Sequence, residues 1–121
     1  MQVIIDLIED IRESIGDAED YTLYAGLLKE DKDDASKLIY AGEVSIASYV
    51  LDNERKELRF SVGNDNTKVT VGALVPSLLL LDMHAMMYLL KMDVNVEYKG
   101  LEIVGFGKSE EDKRYILFIR P

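Results

Sequence analysis

The sequence predicts a single α+β domain with a mainly antiparallel sheet of about five to six strands, an amphipathic N-terminal helix and a largely buried helix around residues 73–91. Three observations favour this class. Apolar residues recur at helical spacing near the N-terminus, and polar and apolar residues alternate in several segments between residues 38 and 119. The 121 residues, 48% of them hydrophobic, suffice for one core. Residues 1–121 are therefore expected to form one domain.

The first helix is predicted over residues 3–15. Apolar residues recur there three and four positions apart, at Ile4, Leu7, Ile8, Ile11 and Ile15. Acidic residues follow the same spacing on another side of the helix, at Asp6, Asp10, Glu13 and Asp17. We therefore expect an apolar face that packs on the sheet and a continuous acidic stripe that faces solvent.

A β-hairpin is the clearest strand prediction. Residues 38–51 and 57–62 have the alternation of strands, and the segment 52–55 between them consists of turn-forming residues. In the first strand, one face is expected to carry the side chains of equal parity, which are Leu38, Tyr40, Val44, Ile46 and Val50.

Two shorter segments precede and follow this hairpin. Residues 21–29 fit either a strand or a helix, and the strand is favoured because Leu23, Ala25 and Leu27 alternate with other residues. Residues 69–71 are β-branched and predict a further short strand.

The second helix is predicted over residues 73–91, which are rich in leucine and methionine and poor in β-branched residues, with Pro76 in the first turn. Such a helix is apolar over most of its circumference, and one sheet face does not cover it. We therefore expect a homodimer formed through this helix.

The C-terminal segment predicts two or three more strands. The apolar residues at 94–98 and at 101–103 have opposite parity, which indicates a bulge or a turn at Lys99 and Gly100. Residues 115–119 are apolar on both faces, as in a strand at the centre of a sheet.

The charge is concentrated in one part of the chain. The net charge is −9, and residues 1–34 hold 11 acidic and three basic residues. Binding to nucleic acid or to an anionic membrane depends on lysine and arginine, so neither is an expected partner. A basic partner protein is expected instead, because an acidic surface attracts and selects it.

Catalytic and metal-binding chemistry is poorly provided for. The chain has no cysteine and one histidine, so no metal and no cofactor is expected, and an enzyme is not favoured. The strand carboxylates Glu43, Glu57, Glu97 and Glu102 remain candidates for a pocket. The first residues lack a signal peptide's basic region, which predicts a cytoplasmic protein.

The element order and the acidic pI of about 4.5 resemble the general plan of type III secretion chaperones and related chaperone-like domains. The resemblance covers the order of elements over residues 1–120 and carries no residue motif, and the usual third helix has no counterpart because the chain stops at Pro121. It implies a small acidic dimer that binds other proteins, as an analogy at the level of fold.

Two functions follow as hypotheses. The first is a non-enzymatic protein-interaction domain, a chaperone, adaptor or inhibitor, that binds its partner through the stripe of Asp6, Asp10, Glu13 and Asp17. The alternative is a small-ligand-binding or catalytic domain with a pocket between the sheet and helix 73–91.

Overall fold

The computed structural model describes residues 2–14, 20–34, 36–62, 68–90 and 100–120. They form one α+β domain, which confirms the predicted class. Its elements are, in order, α1 (Ile4–Ser14), β1 (Thr22–Glu30), β2 (Leu38–Asp52), β3 (Glu57–Val62), α2 (Val71–Leu78), β4 (Met86–Leu90), β5 (Gly100–Ser109) and β6 (Arg114–Ile119).

The six strands close into a barrel in the order in which they occur along the chain. Four neighbouring pairs are antiparallel, as the sequence predicts for most of the sheet. Two pairs are parallel, namely β3 with β4 and β1 with β6. The first of these needs a crossover connection, and α2 lies within it.

Side chains from every element meet in the core. Alternate residues of β6 point inward, and Tyr115, Leu117 and Ile119 are almost completely buried. The helices add apolar side chains to the same core, which are Ile4, Leu7 and Ile11 from α1 and Val71, Leu74 and Leu78 from α2. Of the predicted apolar face of α1, Ile4, Leu7 and Ile11 are thus buried, Ile8 is half-buried and Ile15 lies outside the described residues.

Helix α1 is fixed to the barrel at both ends. The backbone N–H groups of Ile4 and Ile5 donate to the carbonyls of Ala85 and Met83, at 3.1 and 2.9 Å. At the other end, the Lys108 ammonium donates to the Ser14 carbonyl at 2.6 Å, where a cation favours the helix terminus. α1 therefore belongs to the end of the barrel at which β4 and β6 begin.

The predicted helix over residues 73–91 is wrong beyond Leu78. The Asp82 carboxylate accepts the His84 backbone N–H at 2.8 Å, and this local turn competes with a helix. Residues 86–90 then form β4, in which Met87 and Leu89 are buried between β3 and β5. Pairing on both sides outweighs the helix propensity of leucine and methionine.

This correction removes the basis of the homodimer predicted through that helix. α2 has eight residues, and its apolar side chains at three positions lie in the core of its own chain. Met87 and Leu89 also point into the barrel. The structure therefore contains no long apolar helix surface in the described residues that a second copy would need to cover.

The predicted common face of β2 is divided by two irregularities. The pairing with β1 shifts between Leu27 and Leu28, so Ala41 is an extra residue beside Gly42, whose φ is +134°. A second shift follows Ile46. Each extra residue reverses the side to which later side chains point. Consequently, Leu38 and Tyr40 lie outside the barrel, whereas Ile46 lies within it.

The remaining strand predictions have different outcomes. Residues 22–30 form the favoured strand, and the 38–51 and 57–62 hairpin is confirmed. Residues 69–71 do not form a strand: Thr70 makes one isolated bridge to Thr22 and caps α2 by accepting the Ala73 N–H at 3.2 Å. Of the predicted irregularity at Lys99 and Gly100, Gly100 is the first residue of β5, whereas Lys99 and the predicted strand at 94–98 lie outside the described residues. No helix in the described ranges is long and apolar enough to cross a membrane.

Candidate functional site

The β1–β2 hairpin extends past the rest of the barrel. The pairing of β1 with β6 ends at Leu27 and Ile119, but the pairing of β1 with β2 continues to Glu30 and Leu38. We call residues 28–34 and 36–40 the arm. The arm leaves the barrel at the end where β6 finishes, which is opposite the end held by α1.

Strand β2 concentrates exposed apolar side chains, and three of them lie in the arm. Nine large hydrophobic residues are exposed within the described ranges, and five of them lie on β2, at Leu38, Ile39, Tyr40, Val44 and Val50. Three of these are consecutive, with 40–51% of each residue exposed. Leu38 and Tyr40 share one face of β2 and Ile39 lies on the other, so exposed apolar side chains cluster at the start of this strand, and such clusters mark interaction sites.

Four apolar side chains share the outer face of the arm and the adjoining strand. Leu28 is paired with Tyr40, and Leu38 lies two residues away on the same face. The Tyr40 ring meets the Phe118 ring edge to face, with centroids 6.2 Å apart. We call Leu28, Leu38, Tyr40 and Phe118 the outer patch.

Glycines allow Phe118 to lie flat on the barrel. A Cβ atom at Gly26 would lie 2.9 Å from the Phe118 ring, and one at Gly107 would lie 2.7 Å from it. These glycines are on β1 and β5, which flank the strand of Phe118. The absence of side chains at both positions therefore forms the seat of the ring.

An ion pair borders the outer patch. The Arg114 guanidinium bonds to the Glu43 carboxylate and lies 4.4 Å from the centre of the Tyr24 ring. Glu43 also accepts the Tyr40 hydroxyl at 2.6 Å. Partial burial of that hydroxyl, together with the hydrogen bond to Glu43 and its charge, raises the pKa of Tyr40 to about 12. Tyr40 is thus held in place as a neutral phenol.

The arm region differs from the rest of the chain in charge. Residues 28–45 together with Arg114 and Arg120 contain five acidic and five basic residues. The remaining chain contains 18 acidic and nine basic residues, a net charge of −9. The whole net charge therefore lies outside the region that carries the outer patch.

The predicted acidic stripe is only partly a solvent-facing surface. Asp6 is half-buried and accepts the Val3 backbone N–H at 2.9 Å, which caps the first turn of α1. Asp10 is half-buried as well, whereas Glu13 is exposed, as is Glu9. Asp17 lies outside the described residues. The exposed acids of α1 are therefore Glu9 and Glu13.

Asp10 holds α1 on the barrel. Its Oδ2 atom accepts the Tyr115 hydroxyl at 2.5 Å, and Tyr115 is completely buried. Burial, the hydrogen bond to Asp10 and the Asp10 charge raise the pKa of Tyr115. Sequence reasoning missed this pair, because helix periodicity shows which side of α1 Asp10 occupies but not what packs there.

A second surface feature is a groove on the outer face of β2, β3, β4 and β5. It has a volume of about 680 Å³ and is lined by Val50, Arg55, Glu57, Arg59, Tyr88, Leu90 and Gly100. Arg59 pairs with Asp52 at 3.1 Å. Burial and the charges of Glu57 and Glu102 raise the pKa of Tyr88. We call this feature the Tyr88 groove.

The structure brings together two of the four strand carboxylates proposed for a pocket. Glu57 and Glu102 lie near Tyr88 on neighbouring strands, whereas Glu43 pairs with Arg114 beside the outer patch. Glu97 is outside the described residues. The Tyr88 groove is on the outer wall of the barrel rather than between the sheet and α2, and the helix expected to border the predicted pocket ends at Leu78.

The described residues contain no group of three or more histidine, aspartate or glutamate side chains placed to hold a metal ion. No protein-family model matches the chain, and neither curated proteins nor solved structures show a significant match.

Proposed function

We propose that this chain is a small acidic, non-enzymatic protein-interaction domain that binds a partner protein through the outer patch. The observation that carries the proposal is the cluster of exposed apolar residues at the start of β2. Apolar side chains at the centre of a surface, bordered by ion pairs, have the composition of a protein interface.

Large buried side chains inside the barrel favour binding at its outer surface. Tyr115, Phe60 and Met87 are fully buried among the side chains that fill the interior. The Tyr88 groove and the outer patch both lie on the outside of the barrel and face solvent. Binding is therefore proposed at the outside of the barrel, where an extended surface suits a polypeptide.

The acidic charge adds a second element to the proposal. Exposed Glu9 and Glu13 lie on α1, and the net charge of −9 attracts a basic partner over long distances. A cytoplasmic location and a chaperone-like role remain part of this proposal. The electrostatic field speeds the encounter, and apolar contact at the outer patch then stabilises a complex.

Quantitative affinity capture tests the function. Immobilised wild-type protein and its Leu38→Lys variant would be incubated with lysate of the source organism, and retained proteins measured by mass spectrometry. Leu38→Lys places a charge in the outer patch at a residue that is 40% exposed, so the fold is expected to persist. Retention of the specific partner should fall by about tenfold or more, since a buried unpaired charge costs several kcal/mol.

Leu80→Lys is the matched control. Leu80 is 72% exposed after α2, and its replacement adds the same charge outside the outer patch. Equal retention by wild type and both variants would refute the outer patch as the binding surface. Loss of retention in both variants would show a general charge effect.

Steering by α1 gives a separate prediction. Glu9→Gln combined with Glu13→Gln removes two exposed charges without touching the bonds of Asp6 and Asp10. The association rate of a basic partner should fall several-fold at low salt. The difference in rate between the variant and wild type should vanish near about 0.5 M salt, because salt at that concentration screens the charges. Stopped-flow fluorescence measures the association rates of the variant and of wild type. Equal rates at low salt would contradict steering.

A ligand site in the Tyr88 groove is the second candidate function. Its support is the approach of Glu57 and Glu102 to one partly buried tyrosine. Nuclear magnetic resonance screening with a small-molecule library distinguishes it from the first. Specific shifts of groove residues with an undisturbed arm would favour the ligand-binding domain.

A further inference from the structure

We infer that the outer patch is the contact surface of a homodimer, so that its occupant is a second copy of this chain. This rests on the proposed function, in which the outer patch binds a protein, and it names that protein. The contact would be symmetric, with the arm of each copy against the outer patch of the other.

The distribution of charge over the surface favours a second copy at the outer patch. Two chains that each carry −9 repel one another over most of their surfaces. The arm region, with five acidic and five basic residues, is the exception. Net charge attracts a basic partner to the acidic remainder of the surface, whereas the neutral and apolar arm region can meet a copy of itself without repulsion.

The sequence of the arm also permits complementary ionic contacts at the border. Lys29, Lys32 and Lys37 alternate along it with acidic residues. In a symmetric contact, the lysines of one arm lie within reach of the carboxylates of the other. These charges would form the polar rim around the apolar side chains.

The fold keeps the acidic helices apart in such a dimer. α1 is bonded to Ala85, Tyr115 and Lys108, at the end of the barrel where β6 begins. The arm projects beyond Ile119, where β6 ends. Two copies that meet through their arms therefore place Glu9 and Glu13 at opposite ends of the dimer, exposed for a basic partner.

Sedimentation equilibrium of the full chain tests the inference. We expect a monomer–dimer equilibrium with dimer predominant near about 100 µM protein. Raising the salt concentration should strengthen the dimer several-fold, because it screens the repulsion between two acidic chains. A basic partner bound to α1 should show the opposite salt dependence.

Variants locate the contact. Leu38→Lys should weaken the dimer by tenfold or more, and Leu80→Lys should leave it unchanged. Because the chain contains no cysteine, single replacements also report proximity. Leu38→Cys, within the outer patch, should form a disulfide-linked dimer on mild oxidation, and Leu80→Cys should not.

The outcomes separate this inference from the proposed function. A strict monomer at high concentration and in high salt would overturn the homodimer. If Leu38→Lys then still lost a captured protein, the outer patch would bind a different chain and the proposed function would stand. A dimer that Leu38→Lys leaves intact would overturn the inference, because the contact would lie elsewhere.

Discussion

Replacing Tyr115 by phenylalanine should lower the free energy of unfolding by about 1.5–3 kcal/mol, the usual loss for a hydrogen bond to a charged group. The Tyr115 hydroxyl donates to Asp10 at 2.5 Å, and the ring is completely buried. This bond joins α1 to β6, so its loss should also increase hydrogen exchange in α1. Urea denaturation followed by circular dichroism measures the change.

Two further variants check the cause. Glu13→Gln changes an exposed carboxylate on the same helix and should alter stability by less than about 0.5 kcal/mol. Asp10→Asn keeps an acceptor but removes the charge, so it should cost less than Tyr115→Phe. An additive double variant would show that Tyr115 and Asp10 do not interact.

The same contact predicts a dependence on alkaline pH. The pKa of Tyr115 is raised in the folded protein, so the folded state holds the phenolic proton more tightly than the unfolded chain. The contribution of Tyr115 to the free energy of unfolding is complete below the ordinary tyrosine pKa of about 10 and is lost as the pH rises above that value. Tyr115→Phe should therefore lose less stability than wild type between about pH 9 and 11.

Replacing Gly26 by alanine should destabilise the barrel by about 1–3 kcal/mol through overpacking. The added Cβ would lie 2.8 Å from Ile116 Cγ2 and 2.9 Å from the Phe118 ring. Both neighbours belong to β6, and Gly26 is buried between them. Since Phe118 must move, the variant should also weaken binding at the outer patch.

Gly105→Ala is the matched control for this prediction. A Cβ atom there would lie 3.8 Å from Phe118, an ordinary contact. Alanine also restricts the unfolded chain more than glycine, so this variant should be neutral or slightly stabilising. If thermal denaturation showed the same loss for both variants, overpacking of Phe118 would be the wrong explanation.

The spacing of apolar residues along the chain predicts α1, the β2–β3 hairpin and β6, because each of these segments has a clear apolar pattern in the sequence. In α1, the spacing of Ile4, Leu7 and Ile11 matches the face that the structure buries. In β6, apolar residues on both faces correspond to a strand between β1 and β5. These segments agree with their tertiary surroundings, so pattern and structure coincide.

The pattern fails where long-range pairing decides the structure. Residues 86–90 form a strand because β3 and β5 pair with them, although leucine and methionine favour a helix. One local signal was available, since Asp82 lies in the middle of the supposed helix and is a common turn residue. The corrected element order also weakens the resemblance to secretion chaperones, which rested on that order.

The outer patch was only partly accessible to sequence reasoning. Leu38, Ile39 and Tyr40 are consecutive apolar residues, but a strict alternation places Tyr40 and Val44 on one face. The bulge at Ala41 reverses that relation, and Gly42 within a strand was its only signal. The seat of Phe118 depends on glycines from two other strands, which no local pattern brings together.

Hydrogen exchange measured by mass spectrometry tests the central claim most directly. The protein would be labelled alone at low concentration and again in its complex, whether with a second copy or with a captured partner. We predict protection in residues 28–30, 38–40 and around Phe118, with no change at the Tyr88 groove. Protection of the Tyr88 groove, with the arm exchanging as in the free protein, would contradict the outer patch as the interaction surface.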